Sequence, residues 1–161
     1  MTGQPPATHI SRPAPGVRLT AYRGGAAIRS IGHDLSHLDR LAVTSHGRGQ
    51  SSWLEDIVGD HDTVAVTLSV DGRLAGYAVG TPRHGVTDLT RLVAAPSLLT
   101  THAHLLGHLV DAFIDLPDTP WADVRVDPSS LALSHLLATG WRPTTTPTPT
   151  QARPRLTLRA A

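Results

Sequence analysis

Ten histidines fall in a chain of 161 residues, and several sit at spacings that chemistry can use. His33 and His37 lie four apart with Asp34 beside them, so on a helix the two rings share a face as a pair of metal ligands would. His104, His108 and Asp111 line up in the same way farther along, with no HExxH string or further ligand set beside them. At both places a solvated helix face is the competing reading, and no metal is expected. A third candidate is the turn inside "APSLLTTHAHLLGHLVDAF", residues 95–113. The leading end of a helix offers unpaired amides and a partial positive charge, which suit a phosphate. Phosphate-holding turns are rich in glycine because a Cβ blocks close approach. This one offers Leu99, Thr100, Thr101, His102, Ala103 and His104 instead. The chain has no cysteine, and all fourteen of its basic residues are arginine. Disulfides, thiolate catalysis, zinc–cysteine sites and lysine Schiff bases are therefore excluded.

The elements that must position these groups follow from composition and pattern. One domain with a single sizeable core suits this length. Hydrophobic residues make up 40%, charged residues 17%, and the net charge is +1. No basic field points to nucleic acid, and Trp53, Tyr77 and Trp141 read as core or pocket-lining aromatics rather than a platform for bases. No apolar run approaches the roughly 20 residues of a membrane span. A soluble, cytoplasmic protein is expected. Residues 1–15, rich in proline and small polar side chains, are expected to be a disordered leader, with the domain running from 16 to 161.

"VRLTAYRG" (17–24) alternates as a strand does. Residues 26–43 place Ile28, Ile31, Leu35, Leu38 and Ala42 on one helical face. Residues 51–60 suggest a short helix capped by Ser51 or Ser52. "TVAVTLSV", Asp71-Gly72 and "RLAGYAVG" predict a hairpin with a type I′ turn. A strand over 86–96 closes at Pro96, and the helix after it buries Leu106, Leu109, Val110 and Phe113. A strand over 121–127 leads to a helix with Asp127 as cap and Pro128 in its first turn. That helix is expected to bury Ala132, Leu133, Leu136 and Leu137 and to stop at Gly140. Residues 142–154 join two strands, the second being "RLTLRA". The order is β-α-α-β-β-β-α-β-α-β-β: a mixed α/β domain.

That order resembles the GNAT N-acetyltransferase superfamily. Three strings carry the resemblance: "VAVTLSVDGRLAGYAVG", similar to the family's second and third strands; "LTRLVAAP", similar to its fourth strand and closing proline; and "VDPSSLALSHLLATGW", similar to its last helix with a Gly-aromatic end, here Gly140-Trp141. It covers roughly residues 16–160 and implies a mostly antiparallel central sheet flanked by helices. It also implies transfer from acetyl-CoA or another acyl-CoA to a primary amine of a small molecule or protein, by direct attack on the thioester. The fourth and fifth family strands part to admit the acyl-CoA arm, whose pantetheine would pair with backbone around Leu92, Val93 and Ala94. The pyrophosphate would lie over residues Leu99, Thr100, Thr101, His102, Ala103 and His104, with Ser129 also at the cofactor. Family members carry an arginine or glutamine where this chain has Leu99, and glycines at Thr100, His102 and His104. A tyrosine that serves many of them as acid corresponds to Leu136, beside which His135 is a substitute donor. Asp88 and His84, at the start of the fourth strand, are the candidate bases, and a strand amide would hold the oxyanion. A homodimer is a further implication. The alternative is a protein of this fold that binds a partner and no longer uses acyl-CoA.

Overall fold

The computed structural model describes residues 7–11, 13–42, 53–83, 85–116, 123–144 and 156–160. Its centre is the hairpin. Asp71 and Gly72 adopt φ of 50° and 78°, the left-handed pair a two-residue turn requires. They fold β4 (Arg73–Arg83) back on β3 (Val64–Val70), with Val70 opposite Arg73 and Val64 opposite Gly80. β2 (Val17–Arg23) pairs with the other edge of β3, and β5 (Val86–Ala94) with the other edge of β4, both antiparallel. β6 (Asp123–Val126) joins β5 in the one parallel pairing among the described residues. β8 (Leu156–Ala160), β7 (Trp141–Pro143) and, at the far edge, β1 (Thr8–Ser11) complete an eight-stranded sheet of order β1-β2-β3-β4-β5-β6-β8-β7.

The outermost strand, β1 (Thr8–Ser11), lies within the segment expected to be a leader; it pairs antiparallel with β2, Thr8 opposite Ala21. Its partner is a neighbouring strand, and a strand held by its neighbour leaves little local pattern of its own.

Strand alternation sends consecutive side chains to opposite faces, and both faces are covered. On one, Val66, Leu68, Ala78 and Leu89 pack with Leu105, Leu109, Val110, Phe113, Leu136 and Leu158. This layer holds α5 (Ala103–Ile114) and α6 (Leu131–Ala138). On the other, Ala65, Tyr77, Val79 and Val93 meet Ile28, Leu35, Leu38 and Leu54. These come from α1 (Gly25–Ser30), α2 (Gly32–Leu41) and α3 (Trp53–Asp56). Being covered twice explains the unbroken burial of residues 64–68, where a one-sided strand would alternate.

The single helix expected over 26–43 is two helices, broken at Ile31 (φ −109°, ψ 14°). Ser30 donates its hydroxyl back to the Ala27 carbonyl at 2.5 Å, and Gly32 follows, a pair that weakens helix continuation. Ser51 and Ser52 lie outside the described residues. α6 starts later than expected: Ser130 caps it, accepting from the Ala132 amide at 3.2 Å, while Asp127 closes the turn before it. Ala132 and Leu136 are buried, Leu133 is half-buried, and Leu137 is exposed. Gly140 has φ 102°, the left-handed stop that its position predicts.

Candidate functional site

The site grows from a fault in β5. Val79 pairs with Arg91 but Gly80 pairs with Leu89, so Thr90 is an extra residue, a β-bulge. Thr90 donates its hydroxyl to the Val79 carbonyl at 3.0 Å. Gly80 permits the close approach: a Cβ there would lie 2.3 Å from the Asp88 carbonyl oxygen and 2.5 Å from Phe113 Cζ. Pairing between β5 and β6 stops at the same level, at Asp88 opposite Arg125. Beyond it, among the described residues, no strand pairs with that edge of residues 89–94. The Ala95 amide donates to the Ala75 carbonyl at 2.7 Å, on the β4 side. Alternation then turns the main-chain groups of Leu92 and Ala94 to the open side. Leu92 is half-buried; Val93 and Ala94 are buried on opposite faces of the sheet.

At the end of β5 the expected loop is wound into a helix, α4 (Pro96–Thr101). Proline begins it because the first helical amide needs no partner. The amides of Leu98 and Leu99 both reach the Ala95 carbonyl, and that of His102 reaches Leu98. Thr100 donates its hydroxyl to the carbonyls of Pro96 and Ser97, at 3.2 and 3.3 Å. Leu99, Thr100 and Thr101 therefore do not form an open row of donors, which corrects the expectation for residues 99–104. His102 (φ −135°, ψ 41°) breaks the run, and α5 begins at Ala103. The amides of Ala103 and His104 head a twelve-residue helix and have no intrahelical acceptor. The rings of His102 and His104 stand edge-on at 6.2 Å, and those of His104 and His108 at 6.5 Å. Thr101 and His102 also line a cavity of about 720 Å³, together with Asp34, His37 and Leu41 of α2.

The other sequence candidates scatter. Asp88 is half-buried on β5, opposite Thr81. His84 lies outside the described residues. His135 Nε2 meets Asp111 Oδ1 at 2.8 Å, joining α6 to α5. Gly107 makes room for this ring, since a Cβ there would fall 2.6 Å from His135 Cε1. Ser129 donates its amide to Asp127 Oδ1 at 2.9 Å, an Asx turn, and its hydroxyl to the same oxygen at 2.7 Å. Leu136 is fully buried. His33, Asp34 and His37 are exposed on α2, and no cluster of three metal-ligating groups occurs among the described residues.

A constellation absent from the sequence reading occupies the α2 face of β5. Asp39 is 3% exposed, and three side chains from three elements converge on it. Tyr77 donates its hydroxyl to Oδ1, Arg91 donates Nη2–H to Oδ1 at 3.3 Å, and Trp53 donates Nε1–H to Oδ2 at 3.2 Å. The Trp53 ring stacks on Tyr77 at 5.9 Å and 19°, and the Arg91 guanidinium lies 5.1 Å from the indole centroid. Burial drives the Tyr77 phenol far above its ordinary value; Arg91 opposes this and Asp39 reinforces it. Tyr77 therefore remains a donor to Asp39. The sequence did hold one signal. Asp39 stands four residues after Leu35 on the buried face of the helix, where a charge demands partners.

Neither a family model nor a curated protein matches the sequence. Solved structures do. The ribosomal-protein-S18-alanine N-acetyltransferase from Escherichia coli superposes with a TM-score of 0.62 at 15% identity, over 88% of this chain and 92% of that one. Aminoglycoside 6'-acetyltransferase type Ii gives 0.61 at 16%, over 86% and 94%. The PaiA N-acetyltransferase from Thermoplasma acidophilum, in complex with coenzyme A, gives 0.57 at 14%, over 89% and 99%. The chain has the GNAT fold. At these identities the likeness speaks for the fold, and the mixed, mostly antiparallel sheet expected from the sequence is the sheet observed. No helix among the described residues of this GNAT-fold protein is long and apolar enough to cross a membrane.

Proposed function

We propose that this GNAT-fold protein is an acyl-CoA-dependent N-acyltransferase, moving an acetyl group to a primary amine of a small molecule or protein. The released edge of β5 carries the proposal. It offers main-chain groups of Leu92 and Ala94 to an amide-bearing arm and leads to the amides of Ala103 and His104, which suit a diphosphate. The acyl thioester supplies an activated carbonyl. The amine nitrogen forms a bond to that carbon, the carbon–sulfur bond breaks, and the amine's proton leaves to a base while the thiolate takes one up. A β5 amide beside the Thr90 bulge stabilises the oxyanion. Asp88, at the strand's start, is the candidate base, directly or through water.

The glycine-free turn favours a second reading, a binding protein of this fold that takes no acyl-CoA. The Leu98 and Leu99 amides bond to Ala95, the His102 amide to Leu98, and the Thr100 hydroxyl to Pro96 and Ser97. Thermal unfolding with coenzyme A and acetyl-CoA separates the two. At ligand about a hundredfold above Kd the gain is about 2.7 kcal/mol, or roughly 5–10 °C for a domain of this size. Acetyl-CoA-dependent release of free thiol with an amine then shows transfer. No thermal shift at millimolar ligand selects the second reading.

A further inference from the structure

Arg91 is the residue next to the bulge, and its surroundings fix it closely. Nε donates to the Tyr77 hydroxyl at 3.4 Å and Nη2 to Asp39 at 3.3 Å, while Trp53 supports the guanidinium. Guanidinium carries five N–H donors. Two are used, and the remaining three meet no acceptor among the described residues. The side chain is 20% exposed against 1% for Asp39, so the leftover donors are within reach of solvent or a ligand.

An arginine needed only to neutralise Asp39 would be an expensive choice. A buried ion pair returns little net stability compared with apolar packing. The arrangement instead resembles preorganisation: three neighbours hold a planar fork, which suits two-point contact with a carboxylate or phosphate. Its backbone borders the bulge, where the proposed transfer takes place, on the face covered by α2 and α3.

We infer that Arg91 determines acceptor specificity by binding an anionic group, a carboxylate or a phosphate, carried beside the amine that is acylated. The inference rests on the transferase proposal for its location. Asp39, Tyr77 and Trp53 are positioning residues for the guanidinium.

The test uses matched amines with acetyl-CoA and wild-type protein, following thiol release: phenylalanine against phenethylamine, β-alanine against propylamine, and phosphoethanolamine against ethanolamine. Within at least one pair the anionic member should show a kcat/KM higher by about tenfold or more, and which pair responds distinguishes carboxylate from phosphate. Arg91→Lys keeps a charge beside Asp39 but loses the fork. It should raise KM for the anionic amine and erase the preference, with Kd for coenzyme A unchanged. Coenzyme A binding combined with equal use of neutral amines, or with no consumption of any anionic one, overturns the inference and leaves the acyl-CoA site standing. Absence of coenzyme A binding overturns both. A preference that Arg91→Lys leaves intact overturns the role of Arg91.

Discussion

Replacing Asp39 by asparagine tests whether the Arg91 network is as interdependent as its geometry implies. Oδ1 accepts from Tyr77 and Arg91, and Oδ2 accepts from Trp53. An amide of the same shape has one oxygen. Placed at the Oδ1 position, it keeps two partners but sets its NH2 against the Trp53 indole N–H, donor facing donor. The reverse orientation confronts Tyr77 and Arg91 instead. The first arrangement costs less, losing one bond to a charged acceptor, about 1.5–3 kcal/mol. It also weakens the two bonds that remain and leaves Arg91 without its counter-charge, so a total near 3 kcal/mol is expected. With an m-value of about 2 kcal/mol/M, the urea midpoint falls by about 1.5 M. Asp39→Asn combined with Trp53→Phe removes the facing donor. The double variant should be less destabilised than the sum of the singles by about 1–2 kcal/mol, the mark of direct coupling. Asp39→Asn within about 0.5 kcal/mol of wild type, or strictly additive effects, would refute this account.

Tyr77 gives a pH signature. Its folded-state pKa is raised above the unfolded value of 10.0, so its contribution to stability is complete below pH 10 and is lost as pH rises beyond it. Urea melts should show the Tyr77 share as a slope of about −1.4 kcal/mol per pH unit above pH 10, absent in Tyr77→Phe. Gly80→Ala drives a Cβ into the Asp88 carbonyl; a cost of about 3 kcal/mol and disturbance of the bulge should appear in melts and in amide exchange around Thr90. His102→Gly removes a Cβ at a position where the resemblance calls for glycine. Calorimetry should find coenzyme A bound about three- to tenfold more tightly, or about 0.6–1.4 kcal/mol. His135→Ala should leave the rate of thiol release within about twofold of wild type while costing under about 1 kcal/mol of stability, because its partner is the half-exposed Asp111.

The sequence spoke most clearly where structure is made by neighbours in the chain. Asp71-Gly72 fixes a turn through backbone handedness alone, Pro96 ends β5 and opens α4, and Gly140 stops α6. The break at Ile31 was less legible because Ile28, Ile31 and Leu35 keep a helical spacing straight through it. The resemblance implies a loop after Pro96, yet Pro96 suits a first helical position and Leu98 and Leu99 have the local propensity to wind up. The Asp39 network was the hardest to see. Its bonds join residues 14, 38 and 52 positions apart, and such meetings depend on the register of β4 and β5 and on how α2 crosses them. The His135–Asp111 bond was hidden for the same reason: its two residues are 24 apart, on different helices.

The central claim is that an acyl-CoA arm lies along the released edge of β5 and ends on the first amides of α5. Titrating ¹⁵N-labelled protein with coenzyme A reads it at individual residues. The account predicts saturable shifts of the Leu92, Ala94, Ala103 and His104 amides, with those of Leu98 and Leu99, already bonded to Ala95, moving little. Unchanged spectra at millimolar coenzyme A, or shifts confined to surfaces away from β5 and α5, would contradict it.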